Sequence, residues 1–114
     1  MHEMSYCISI VNMAVAAAKE NELKTVEKIS VEVGEMTGVL PYYLNLYFPE
    51  AAKGTILEGC ELEIIEVPVT LVCADCNKTY HPDKEHAYNC PDCGSHKGKL
   101  IAGRDVSLRN ICGE

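Results

Sequence analysis

The chain has 114 residues, enough for one compact domain or for one small domain with a metal-stapled appendage. Hydrophobic residues make up 47% of it, which excludes a disordered chain; with no Trp and one Phe, the core must rest on Val, Ile, Leu, Ala and Tyr. The net charge of -7 argues against a nucleic-acid binder, which needs a Lys/Arg surplus, and suits a cation carrier or an acidic interaction surface.

A first helix is predicted from about Ser5 to Asn21, because Cys7, Ile10, Val11, Ala14, Val15 and Ala18 share one helical face. A strand follows, in which Ile29, Val31 and Val33 alternate with Lys28, Ser30 and Glu32. Gly34 and Gly38 bracket a turn. A second helix begins near Pro41 with an apolar face of Leu40, Tyr43, Leu44, Tyr47, Phe48 and Ala51 or Ala52. Pro49 is expected to kink or divide it, and Gly54 to close it. The second strand covers about Cys60 to Val67. Leu62 and Ile64 alternate there, but Ile65 and Val67 fall on the opposite phase, which predicts either two covered faces or a bulge. From Pro68 to about Lys99 polar residues and cysteines dominate. Val106 and Leu108 then mark a final strand that returns to the first sheet.

The expected fold class is therefore α+β: two helices packed on a small three-stranded mixed sheet, with an inserted zinc-ribbon-like module. Residues 1–68, completed by 100–114, form the α/β domain, and 69–99 form the cysteine module.

Seven cysteines are present: Cys7, Cys60, Cys73, Cys76, Cys90, Cys93 and Cys112. The odd count argues against a fully paired secreted disulfide framework. Met1-His2-Glu3 lacks the basic start of a signal peptide, and the longest apolar run, Met13 to Ala18, is too short to cross a bilayer. A cytoplasmic location, where thiols stay reduced, is expected.

Four of the cysteines carry the main chemical signal. Cys73-Ala-Asp-Cys76 is followed after 13 residues by Cys90-Pro-Asp-Cys93-Gly94. Each Cys-x-x-Cys hook puts two sulfurs on one turn, and two hooks supply a tetrahedral set at about 2.3 Å from zinc. Iron in a rubredoxin-like site is the competing reading, but no Trp or Phe lies in the region to shield a redox centre. With all four positions filled by protein, Zn(II) here is structural rather than catalytic. About thirty residues so poor in apolar side chains cannot fold alone, whereas zinc supplies roughly 10–16 kcal/mol of apparent folding free energy in comparable modules. Cys7, Cys60 and Cys112 read as small buried apolar residues.

Taken alone, Met1-His2-Glu3 says little, since a histidine beside a chain start is usually solvated. Its chemistry nevertheless suits one ion. The α-amine, the next backbone amide, the His2 imidazole and the Glu3 amide can approach one plane, and Ni(II) accepts such a nitrogen-rich set. The Glu3 carboxylate could replace a nitrogen or add a contact.

These features, with the Gly34-Glu35-x-x-Gly38 turn, Glu58-Gly59 before the second strand and Gly103-Arg104-Asp105 near the end, resemble the HypA family of hydrogenase-maturation nickel metallochaperones. The resemblance spans nearly the whole chain; Pro49 and the Ile111-Cys112-Gly113-Glu114 ending depart from the family pattern. It implies nickel cargo at Met1, His2 and Glu3, and structural zinc at Cys73, Cys76, Cys90 and Cys93. It also implies partnership with a HypB-type GTPase and with the hydrogenase large subunit or its maturation complex, and in some relatives a urease role. Neither nucleic acid nor membrane is an expected partner, and the chain is expected as a monomer or a homodimer. His81, His86 and His96 lie in or beside the cysteine module and read as surface residues, with an added nickel contact left open.

The alternative is a zinc-ribbon interaction module with no nickel role. Tyr80, Lys78, Lys84, Lys97 and Lys99 offer it a modest basic face, offset by five acidic residues from Asp75 to Asp105. An enzyme is not expected: no nucleophile–base pair, phosphate loop or open metal site with paired carboxylates is legible, and Glu32, Glu35, Glu58 and Glu61 read as solvated charges.

Overall fold

The structure is a computed structural model that describes residues 2–114. The chain runs through α1 (His2–Glu20), β1 (Val26–Gly34), a 3-10 turn at Glu35–Thr37, α2 (Pro41–Ala52) and β2 (Glu61–Val67). It continues through β3 (Thr70–Cys73), β4 (Thr79–Tyr80), β5 (Gly98–Ala102) and β6 (Val106–Gly113). Two three-stranded sheets result, ordered β2-β1-β6 and β4-β3-β5.

The first sheet is mixed. β1 pairs with β2 in parallel, through the α2 crossover, and with β6 antiparallel. Ile29, Val31 and Val33 are buried against both helices, as their alternation predicts. From α1, Cys7, Ile10, Val11, Ala14 and Ala18 join them; from α2, Leu44, Phe48 and Ala52. The opposite face of the sheet is polar. Ser30 is itself buried and donates to Glu63 at 2.6 Å, and Lys28 pairs with Glu61 and Glu63.

Several expectations are corrected in detail. Helix α2 continues through Pro49 without dividing, because Pro49 is exposed while Phe48 and Ala52 hold the helix on the core. Leu40 and Tyr43 are exposed rather than on the apolar face. The phase change in β2 involves no bulge: its register with β1 is regular, and Ile65 and Val67 are half-buried on the far face. The irregularities lie instead between β1 and β6, where Glu27 and Arg109 are the extra residues. Cys112 is exposed rather than buried. The second sheet reaches to Ala102, three residues past Lys99.

The two sheets meet at a neck that the chain crosses twice, at 67–70 and at 102–105. The crossing leaves no room for side chains. A Cβ on Gly103, whose φ is +90°, would lie 2.6 Å from the carbonyl oxygen of Pro68 and the Cα of Val69. Gly34 packs equally tightly on Gly103. Gly34 N–H donates to Asp105 O and Met36 N–H to Gly103 O, both at 2.9 Å. Gly54 also has positive φ, yet nothing lies within 4 Å of its Cβ position. Gly103→Ala therefore combines left-handed strain with a backbone clash and is expected to cost roughly 2–4 kcal/mol. Gly54→Ala bears only the conformational strain, roughly 1–2 kcal/mol. Midpoints of denaturant unfolding for the two variants would order them, and equal midpoints would show that the neck yields.

Candidate metal centre

Each cysteine hook is built the same way. In the first, Asn77 N–H donates to Cys73 O at 2.8 Å and Cys73 N–H to Lys78 O at 2.8 Å. In the second, Gly94 N–H donates to Cys90 O at 2.9 Å and Cys90 N–H to Ser95 O at 3.0 Å. The residue after each hook is left-handed, Asn77 at φ 62° and Gly94 at φ 73°. Asn and Gly are the residues that tolerate that conformation best. Strand β3 delivers Cys73 and leads into the first hook, while the second hook leads toward β5, so β3–β5 pairing brings the hooks face to face.

The four sulfurs of Cys73, Cys76, Cys90 and Cys93 all lie within 4.8 Å of one another. Cys73 Sγ is 3.5 Å from Cys93 Sγ, and Cys76 Sγ is 3.6 Å from Cys90 Sγ. Sulfurs at ~2.3 Å around a tetrahedral zinc are about 3.8 Å apart, so the set fits such an ion. Among the described residues no other group of three or more metal-ligating side chains converges in this way.

Electrostatics favours a cation at this point. The backbone N–H groups of Cys76 and Asp75 pull the Cys73 thiol down to about 7, against its burial. At Cys93 the Ser95 N–H acts in the same direction, but the neighbouring Cys73 sulfur, burial and the other two sulfurs outweigh it and push the thiol up to about 12. Sulfurs this close share charge poorly unless a metal takes part of it. The module has little else to hold it: Cys73, Cys90 and Tyr80 are its buried residues, with Leu71 against them. Tyr80 is thus an interior residue, not part of an aromatic surface.

Of the expected nickel residues, Met1 and the His2 side chain lie outside the described residues. Glu3 is half-buried in the first turn of α1. Its charge, after burial, contributes to raising the Cys7 thiol one turn on. His81, His86 and His96 are exposed, and none adjoins the four sulfurs as a converging ligand.

Glu35 is not the free solvated charge expected. Its Oε1 accepts from Val69 N–H at 2.8 Å and lies 2.9 Å from His81 Nε2. These two hydrogen bonds lower its pKa from the ordinary carboxylate value. One carboxylate thus ties the turn after β1 both to the neck and to the cysteine module. The signal in the sequence was its position, Gly34-Glu35, at a turn that had to face the inserted module.

The fold and these sulfurs define a small α+β protein with a four-cysteine metal-binding cluster. A family model described as "Hydrogenase/urease nickel incorporation, metallochaperone, hypA" matches residues 1–112. The chain belongs to this HypA family. It is 39% identical over 108 residues to a hydrogenase maturation factor HypA of Chloroflexus aggregans, covering 95% of each chain. It is 37% identical over 111 residues to that of Chlorobium phaeobacteroides, covering 97% of each. In fold it is similar to the solution structure of the Ni metallochaperone HypA from Helicobacter pylori, with a TM-score of 0.74 and 21% identity over 97% of this chain and 96% of that one. Among the described residues no helix is long and apolar enough to cross a membrane.

Because the Glu35 carboxyl is held below its ordinary value, its contacts add stability above that ordinary value and lose it as pH falls through the lower, folded one. The junction should therefore loosen only in the acid range, below pH ~4. Glu35→Ala should reproduce that loosening at neutral pH. Faster amide exchange at Val69, with β1 unchanged, is the expected result; unchanged Val69 protection would remove the carboxylate from the junction.

Proposed function

We propose that the chain is a nickel carrier that binds Ni(II) at Met1, His2 and Glu3 and gives it up during hydrogenase maturation, with Zn(II) held structurally by Cys73, Cys76, Cys90 and Cys93. The observation that carries this reading is the family match over residues 1–112, which includes both the N-terminal triplet and all four converging cysteines. Residues 1–68 with the returning C-terminal strand form the nickel-carrying part, and the cysteine module forms the other. A HypB-type GTPase and the hydrogenase large subunit, or the complex that matures it, are the proposed partners. A urease role belongs to the same proposal, as does a cytoplasmic setting. No turnover is required, since ligand exchange moves the ion.

The start of α1 supports the nickel assignment physically. The helix begins at His2, so its first backbone N–H groups have no intrahelical acceptor. An amide nitrogen there can bind a metal without breaking a helical hydrogen bond. That end of the helix also carries partial positive charge, which disfavours a bare cation. Anionic donors, a deprotonated amide or the Glu3 carboxylate, are therefore needed. Cys73, Cys76, Cys90 and Cys93 would hold Zn(II) as thiolates, and the bound ion would cross-link the two hooks.

Titration calorimetry of nickel into untagged, zinc-loaded protein is expected to give one site per chain, lost when one residue is added before Met1. His2→Ala should likewise abolish tight binding while leaving zinc content intact. Equal binding by both N-terminal forms would move the site elsewhere and favour a zinc-ribbon interaction module. The α-amine (pKa ~7.7–8.0) and the imidazole (pKa ~6.5) must both be unprotonated to bind. Nickel affinity is therefore expected to fall as pH drops from 8 through 6, and a flat profile over that span would exclude an amine–imidazole site.

A further inference from the structure

The four sulfurs are not equally placed. Cys73 is 0% exposed and Cys90 2%, whereas Cys76 and Cys93 are exposed. Each hook therefore gives one buried cysteine, its first, and one exposed cysteine, its second. The two short sulfur–sulfur contacts, Cys73–Cys93 and Cys76–Cys90, each join a buried cysteine to an exposed one.

The buried cysteines are covered by Tyr80, with Leu71 packed beside it. Tyr80 is 7% exposed and packs with Cys73, Cys90 and Leu71. β4 places it there by pairing Tyr80 with Leu71 of β3. Gly98, at the start of β5, makes the space: a Cβ there would collide with the Tyr80 hydroxyl. A tyrosine on β4 and a glycine on β5 thus form a fitted wall across the β4-β3-β5 sheet. Cys76 and Cys93 are exposed, as are the hook residues Asp75 and Asp92, and none of them belongs to the buried cluster around Tyr80.

We propose that the four-sulfur centre is one-sided: metal enters and leaves, and soft electrophiles attack, through Cys76 and Cys93, while Tyr80 is the positioning residue that closes the side of Cys73 and Cys90. This rests on the reading that the four cysteines hold a metal ion. Release is then stepwise. With an ion held, Cys76 and Cys93 would be the thiolates that an incoming ligand could displace first, each then taking a proton from solvent. Cys73 and Cys90 would be the last thiolates to let the ion go. The order follows from access, because a ligand can approach the ion only where no side chain fills the approach.

The test uses zinc-loaded full-length protein, with zinc content per chain measured first. Limiting N-ethylmaleimide is added, and singly modified chains are mapped by peptide mass. Cys112, exposed and outside the cluster, is the internal reference. Within the cluster, initial modification at Cys76 and Cys93 is expected to exceed that at Cys73 and Cys90 by at least about tenfold. In Tyr80→Ala the four rates should converge and zinc transfer to a chromogenic chelator should accelerate. Tyr80→Phe should restore the wild-type pattern, and Gly98→Ala, which displaces the ring without removing it, should fall between. A chain without zinc would overturn the metal reading itself. Zinc-loaded protein with uniform first modification would overturn only the one-sided route. Preserved asymmetry in a zinc-loaded Tyr80→Ala would take the wall away from Tyr80.

Discussion

The third strand of the first sheet depends on a loop being closed. β6 can pair with β1 only if the chain that leaves β2 at Val67 comes back at Val106, after 38 intervening residues. Closing a flexible loop of that length costs on the order of 3 kcal/mol, before any ordering of its residues. The intervening segment answers with β3–β5 pairing, which sets its two ends side by side, and with two hooks whose sulfurs converge. An ion bound to those sulfurs cross-links the loop internally. The cysteine module is thus less an appendage than the closure of the first sheet, and β6 carries Val106, Leu108 and Ile111 onto the core as a result.

This arrangement explains why the neck is so sparsely furnished. Two chain crossings pass within backbone contact, so glycine is required at Gly103 and Gly34, while the proline at Pro68 turns the chain without needing a donor. Backbone hydrogen bonds from Gly34 and Met36 fix the crossing itself. They do not reach the cysteine module beyond the neck. Glu35 does, by accepting from Val69 and meeting His81 with one oxygen. A single exposed carboxylate is a light connection, suited to two units that must keep register without forming a common core.

The helices, the central strand and the cysteine hooks were legible because each is written in short-range pattern. Ile29, Val31 and Val33 alternate, Cys7 through Ala18 repeat at helical spacing, and two Cys-x-x-Cys hooks admit few other uses. Features decided by distant neighbours were not legible. Ile65 and Val67 look like a register fault until β2 is seen as an edge strand with a half-open far face. Pro49 looks like a break until Phe48 and Ala52 are seen to anchor α2 on both sides of it. Leu71, Tyr80 and Gly98 sit in segments too short and polar to announce a sheet, and only β3 pairing with both neighbours makes them one. Glu35 resembles any surface glutamate until the neck supplies Val69 and the cysteine module His81.

If the chain holds both metals as proposed, they must be kept from exchanging places, and the proposed donor sets would meet that need by chemistry rather than by distance alone. Four thiolates in a closed tetrahedron suit zinc, which has no geometric preference of its own to lose. Nickel(II) gains from a planar nitrogen-rich set that a tetrahedron of sulfurs cannot offer. The difference in permanence follows from the same source. Sulfurs within 4.8 Å of one another repel strongly once ionised, so the site holds its charge only around a cation and resists emptying. An amine and an imidazole can take up protons when a cation leaves, so departure from a donor set of that kind strands no charge. On the proposed assignment, the thiolate set is the one suited to keeping an ion and the N-terminal set the one suited to giving it up.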